Sequence, residues 1–202
     1  MLLNTIRDIQ FGHHLDRPAT QNEVLEMVND PVWDAATADD GPGVDLDHFG
    51  ILLKEMFVAY KLQGITVEVI HVDDKSEKTR QQIHRNLLDI ENGDGAVTLL
   101  ALNFDDRCFI NANVDVGHIS PVGAYDLLTR LVLVFDVDRE WTGPYWITEE
   151  MLLNGLNTVN KDVKGTTPTY RGYVRICTPT STSKMILLWS AALSSYISKS
   201  VM

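Results

Sequence analysis

Apolar residues recur at helical spacing through the first half of the chain and in short, nearly continuous blocks through the second. Leu2, Leu3, Ile6 and Ile9 fall on adjoining faces of a predicted helix over 2–10. Thr20-Gln21-Asn22-Glu23 has capping-box spacing, in which Thr20 accepts from the Glu23 amide while Glu23 reaches back. It opens a short predicted helix ending near Asn29, before Pro31. Residues 31–44 hold two prolines, two glycines and three aspartates and read as a surface loop. Asp45 then caps the longest predicted helix, to about Gln63. Leu46, Phe49, Leu53, Met56, Phe57 and Tyr60 share one face of it, and Gly64 suits the position just past its end. Residues 65–70 are rich in β-branched types and predict a strand. Ser76 starts a further helix with Ile83, Leu87, Leu88 and Ile90 inward, and Asn92-Gly93-Asp94-Gly95 reads as a turn.

From there the pattern turns to strands. Residues 96–104, 118–125, 131–137 and 170–177 are short and apolar, with one helix predicted over 148–157. A helical first half and a sheet-rich second half predict an α+β fold, helices packed on an antiparallel sheet. The 202 residues allow one domain or two small ones. We expect one domain over 1–180 and a helical tail over 181–202.

Composition narrows the function. Apolar residues are 45% and charged residues 22%, as in soluble globular proteins. The formal charge of −11 argues against a nucleic-acid partner. Residues 1–50 hold ten acids and two bases, while 161–202 hold six bases and one acid. These charge runs read as solvated faces, or, for the basic one, as the lining of a pocket for a carboxylate-bearing substrate. The apolar stretch over 185–197 is too short to span a membrane, and MLLNTIRDIQ has no signal-peptide core. Few cysteines and no Asn-x-Ser/Thr acceptor fit a reducing, cytoplasmic compartment.

The recurrent nucleotide, zinc-protease and hydrolase motifs are missing: no G-x-G-x-x-G, G-x-x-x-x-G-K-[ST], H-E-x-x-H, C-x-x-C or G-x-S-x-G occurs. His13 and His14 are adjacent, so their side chains diverge and make a poor metal clamp; His48, His71 and His84 read as isolated surface residues. One constellation remains. His118 begins a predicted strand, and Asp136 lies 18 residues later at the end of the next. A hairpin of that length can set the two side together. A carboxylate fixes the tautomer of a neighbouring imidazole, which can then hold a thiol as thiolate. On spacing alone, such a His–Asp pair is more often structural.

The blocks GHISPVGAYD, LVLVFDVDRE, PYWITEEMLLNGLNTVN and YRGYVRI resemble the catalytic domain of phytochelatin synthases. The residues that carry the likeness are Gly117, His118, Ser120, Pro121, Tyr125, Asp136, Val137, Arg139, Pro144, Trp146, Asn157, Thr158, Arg171 and Gly172, in order. The resemblance implies a papain-like cysteine acyltransferase that moves a γ-Glu-Cys unit from glutathione to glutathione or phytochelatin. It implies His118 as general acid/base, Asp136 as its orienter, and Arg171 and Arg139 at the substrate. It implies no tightly bound cofactor, with Cd²⁺ or Zn²⁺ acting through the metal–glutathione thiolate. It is compatible with a homodimer.

The departure lies in the nucleophile. The family's cysteine opens a helix whose ending Met1-Leu2-Leu3-Asn4-Thr5-Ile6 resembles, so the thiol is expected before Met1 and is absent from the chain. Cys108 and Cys177 are at neither end of a predicted helix. Two readings follow: an acyltransferase whose sequence lacks its N-terminal part, or a non-catalytic relative or inactive fragment that retains a glutathione-binding cleft. A purely structural domain is the blander third.

Overall fold

A computed structural model describes residues 1–11, 17–38, 41, 43–93, 96–109, 117–137, 143–160 and 169–179. Six helices lie among them: α1 (Leu2–Phe11), α2 (Gln21–Val28), α3 (Pro31–Thr37), α4 (Leu46–Ala59), α5 (Glu77–Asn92) and α6 (Glu149–Leu156). The strands are β1 (Thr66–His71), β2 (Ala96–Asp105), β3 (Gly117–Asp126), β4 (Leu131–Val134), β5 (Tyr145–Thr148), β6 (Val159–Asn160), β7 (Thr169–Tyr170) and β8 (Gly172–Pro179). Six of them form one antiparallel sheet in the order β1-β8-β2-β3-β4-β5; β6 and β7 pair separately. The α+β class is therefore observed.

The caps explain most of the helices. Thr20 and Glu23 form the expected reciprocal capping box. Asp45, Ser76 and Thr148 each accept from the third amide of their helix. The region expected to be a loop holds α3, because Asp30 accepts from the Val32 and Trp33 amides and Pro31 sits at the first helical position, where its missing N–H costs nothing. α4 ends earlier than expected. Lys61 takes a φ of 56°, its amide bonds Val58 O, and the Leu62 amide reaches back to Phe57 O. That is a Schellman ending, closed by Lys61 rather than by Gly64. At 14 residues α4 is also shorter than α5, which has 16.

Successive residues of the central strands face opposite sides of the sheet. Ala101, Val174 and Ile176 pack with Leu3, Ile6, Leu53, Met56 and Phe57 of α1 and α4. Leu100, Leu102, Phe104 and Tyr173 pack with Ile83, Leu87, Leu152 and Leu153 of α5 and α6. Helices thus cover both faces, and β2, in the middle, reads as a near-continuous apolar run for that reason. The C-terminal tail, residues 180–202, lies outside the described residues. Among those described, no helix is long and apolar enough to cross a membrane.

Candidate functional site

Register brings the site together. β3 lies between β2 and β4, with His118 opposite Phe104 and Ser120 opposite Leu102. Side chains at 118, 120 and 122 therefore share a face. On β4, Val134 pairs with Val122, and beyond the end of that strand the Phe135 amide still bonds Pro121 O at 3.0 Å. Two residues past Val134, Asp136 returns to the same face. Its Oδ1 lies 3.4 Å from His118 Nδ1, and its side chain is fully buried. The expected His118–Asp136 juxtaposition is present.

A second carboxylate, which the sequence reading missed, meets the same nitrogen. Asp106 opens a one-turn 3-10 helix directly after β2 (Asp106–Cys108), and its Oδ1 lies 3.1 Å from His118 Nδ1. The contact is close but poorly aligned: His118 Nδ1 and Asp106 Oδ1 are both buried without a well-directed hydrogen bond. Tyr145 donates to Asp136 Oδ2 at 3.0 Å, and that carboxylate together with burial pushes the phenol well above its ordinary range. Phe104 meets the His118 ring edge-on at 6.1 Å and stacks on Phe109 at 4.2 Å. Both carboxylates lie on the Nδ1 side of the ring, the arrangement that favours a proton on that nitrogen. The His118 side chain retains 16% exposure.

Arg171 stands behind this strand, not in front of it. The residue is 2% exposed, and Nη1 donates to Phe104 O at 3.4 Å. A Cβ at Gly117 would meet the Arg171 guanidinium, so any side chain there would displace that group. Gly172 is required: a Cβ would strike Ile70 O of the neighbouring strand. Arg139, the other expected substrate-binding residue, lies outside the described residues, as do His13 and His14.

The two cysteines are placed differently: Cys177 is remote from His118, and Cys108 ends the turn that Asp106 opens. Cys177 pairs with Thr98 on β2, and its Sγ lies 3.6 Å from Thr98 Oγ1. Thr98 is six residues from Phe104 along β2, so Cys177 sits roughly 20 Å from His118 at about 3.3 Å per residue. Cys108 packs against the core beside α6, and burial, with the Asp105 charge, pushes its thiol up. An activated nucleophile needs the opposite shift.

Two other histidines correct the expectation of isolated surface residues. His71 donates from Nδ1 to Tyr170 O at 2.5 Å and lies 3.0 Å from Asp47. His84 Nδ1 meets Glu149 Oε1 at 2.8 Å and Tyr125 OH at 3.2 Å, and Arg130 donates to Glu149 Oε2 at 2.5 Å. Beside this network lies a cavity of about 650 Å³ lined by Arg80, His84, Arg85, Arg130, Glu149 and Glu150. The cavity and the His118 cluster are different places. Around the cavity Glu149 and Glu150 are matched by Arg80, Arg130 and His84. Among the described residues, no group of three His, Cys, Asp or Glu side chains could hold a metal ion.

The structure thus defines an α+β protein with a buried histidine–carboxylate centre at the ends of adjacent antiparallel strands. A family model described as phytochelatin synthase matches residues 34–173, and the chain belongs to that family. It is also similar to glutathione gamma-glutamylcysteinyltransferase 3 of Lotus japonicus, 35% identical over 60 residues, which is 30% of this chain and 12% of that relative.

Proposed function

We propose that the His118 centre serves transfer of a γ-Glu-Cys unit from glutathione to a second glutathione or to phytochelatin, on a papain-like layout. The observation that carries this reading is one imidazole with two carboxylates beside its Nδ1, which points to Nε2 as the base. A thiol facing Nε2 loses its proton to that nitrogen and attacks the Cys–Gly carbonyl carbon. The C–N bond breaks, Nε2 returns the proton to the leaving amine, and glycine departs from a thioester. The γ-Glu amine of the second peptide then attacks the thioester carbonyl and gives a proton to Nε2. The C–S bond breaks, and the proton returns to sulfur.

In this reading Asp136 orients the ring, and Arg171 keeps Gly117, and so His118, in place from behind. Arg139 is the candidate for direct contact with a substrate carboxylate. Cd²⁺ or Zn²⁺ enters as part of the substrate, bound to the glutathione thiolate. The remoteness of Cys177 and the raised thiol of Cys108 argue against either as the nucleophile. That same placement supports the second reading, a glutathione-binding relative without turnover.

The test is to add glutathione and Cd²⁺ to the 202-residue protein, following the His118 ring by NMR and free glycine by assay. The expected result is a glutathione-dependent shift of the His118 resonances with no glycine released. Glycine release that survives His118→Ala and disappears in Cys108→Ser would overturn the assignment, as would glutathione leaving His118 unmoved.

A further inference from the structure

We propose that Asp106 is a second positioning carboxylate of this centre, holding the imidazole from the β2 side as Asp136 holds it from the β4 side. The inference builds on the reading of His118 as a base but is tested without substrate. β3 is flanked by β2 and β4, so the residue that leaves each neighbour can reach the same ring. Asp136 follows β4 at 3.4 Å from Nδ1, and Asp106 follows β2 at 3.1 Å.

The contrast with the adjacent aspartate shows why Asp106 is more than a turn residue. Asp105 is claimed by its own turn: it accepts from the Arg107 amide at 3.0 Å, from Arg107 Nε at 3.0 Å and from Nη2 at 2.5 Å. That guanidinium holds Asp105 below its ordinary range. Asp106, one residue on, is 5% exposed, and its Oδ1 has no well-directed donor. A buried carboxylate left in that state opposes folding. Its position on the imidazole gives that arrangement a use.

The charges facing Asp106 are His118 from β3, Asp136 beyond β4, Arg171 between β7 and β8, and Asp105 on its own turn. Burial, with Asp136 and Asp105 adding and His118 and Arg171 opposing, pushes the Asp106 carboxyl up to about 6. Below that pH it is a neutral neighbour of the ring. Above it a second negative charge stands at Nδ1 and favours the imidazolium that forms when Nε2 takes a proton.

Two NMR titrations decide this. In the unmodified protein, the Asp106 Cγ resonance is expected to titrate well above the ordinary carboxylate range near 4, with an inflection of the His118 Hε1 resonance at the same pH. In Asp106→Asn that inflection disappears, and Asp106→Glu restores it. An Asp106 carboxyl that titrates near 4 with no response at His118 overturns the proposal, as does an unchanged His118 curve in Asp106→Asn. If that variant does not fold, the titration of the unmodified protein decides alone. Failure of glutathione to move His118 would sink the transfer reading and leave this result standing.

Discussion

The molecule carries two clusters that each set a histidine and a tyrosine against carboxylate, and they behave oppositely. One joins His84, Tyr125, Glu149 and Arg130 across α5, β3 and the start of α6. The other joins His118, Asp106, Asp136 and Tyr145 beside β3. In the first, one carboxylate meets three donors. Burial works against Glu149, yet hydrogen bonds from Tyr125, His84 and Arg130 outweigh it and hold that carboxyl below its usual range. In the second, two carboxylates compete for one nitrogen, and Asp106 is pushed up to about 6. A satisfied network fixes a fold, whereas an over-acidic one around a single imidazole stores a tendency to bind a proton.

The comparison makes the two clusters oppose each other in pH. The largest effect belongs to the satisfied one. Glu149→Ala leaves Arg130, His84 and the Tyr125 hydroxyl without their acceptor and is expected to cost about 2–4 kcal/mol at pH 7 in urea unfolding. The Glu149 carboxyl is lowered in the folded state, so its contribution is present above the ordinary glutamate range and lost as pH falls through the folded value. The cost of Glu149→Ala should therefore shrink in acid. An undiminished penalty at low pH would mean that packing, not charge, holds this cluster.

A smaller effect of opposite sign is expected at Asp106. Its carboxyl is raised on folding, so the folded state keeps a proton that the unfolded chain has already released. Stability then falls as pH climbs from the ordinary aspartate range to about 6. Asp106→Asn removes that cost and should stabilise the protein by about 1–2 kcal/mol at pH 8, with the gain vanishing near pH 4. A destabilised Asp106→Asn at pH 8 would place Asp106 with Glu149, as a satisfied structural charge.

Much of this was legible in the chain, and the misses have physical causes. Helix starts read well because their signals are local: Thr20, Asp45 and Ser76 each need only an amide three residues on. The His118–Asp136 meeting was legible because a hairpin ties both to one register. Asp106 was not, since it lies outside the strand and reaches His118 only through the turn that follows β2. α3 hid behind Pro31, which breaks a helix in its interior but opens one at its first position. β5, four residues long, has too few alternations to announce itself, and the expected strand over 170–177 is interrupted at Arg171. Which helices cover which face of the sheet is a property of the assembled register and is not written in any one segment.

The most direct measurement is the tautomer of His118, read from the ring nitrogen resonances in a long-range ¹H–¹⁵N spectrum above the titration of the ring. Two carboxylate oxygens near Nδ1 favour the proton on that atom, which would leave Nε2 available as a base. An Nδ1–H signal is the expected result; a ring protonated at Nε2 would contradict the assignment of this histidine as the base of the centre.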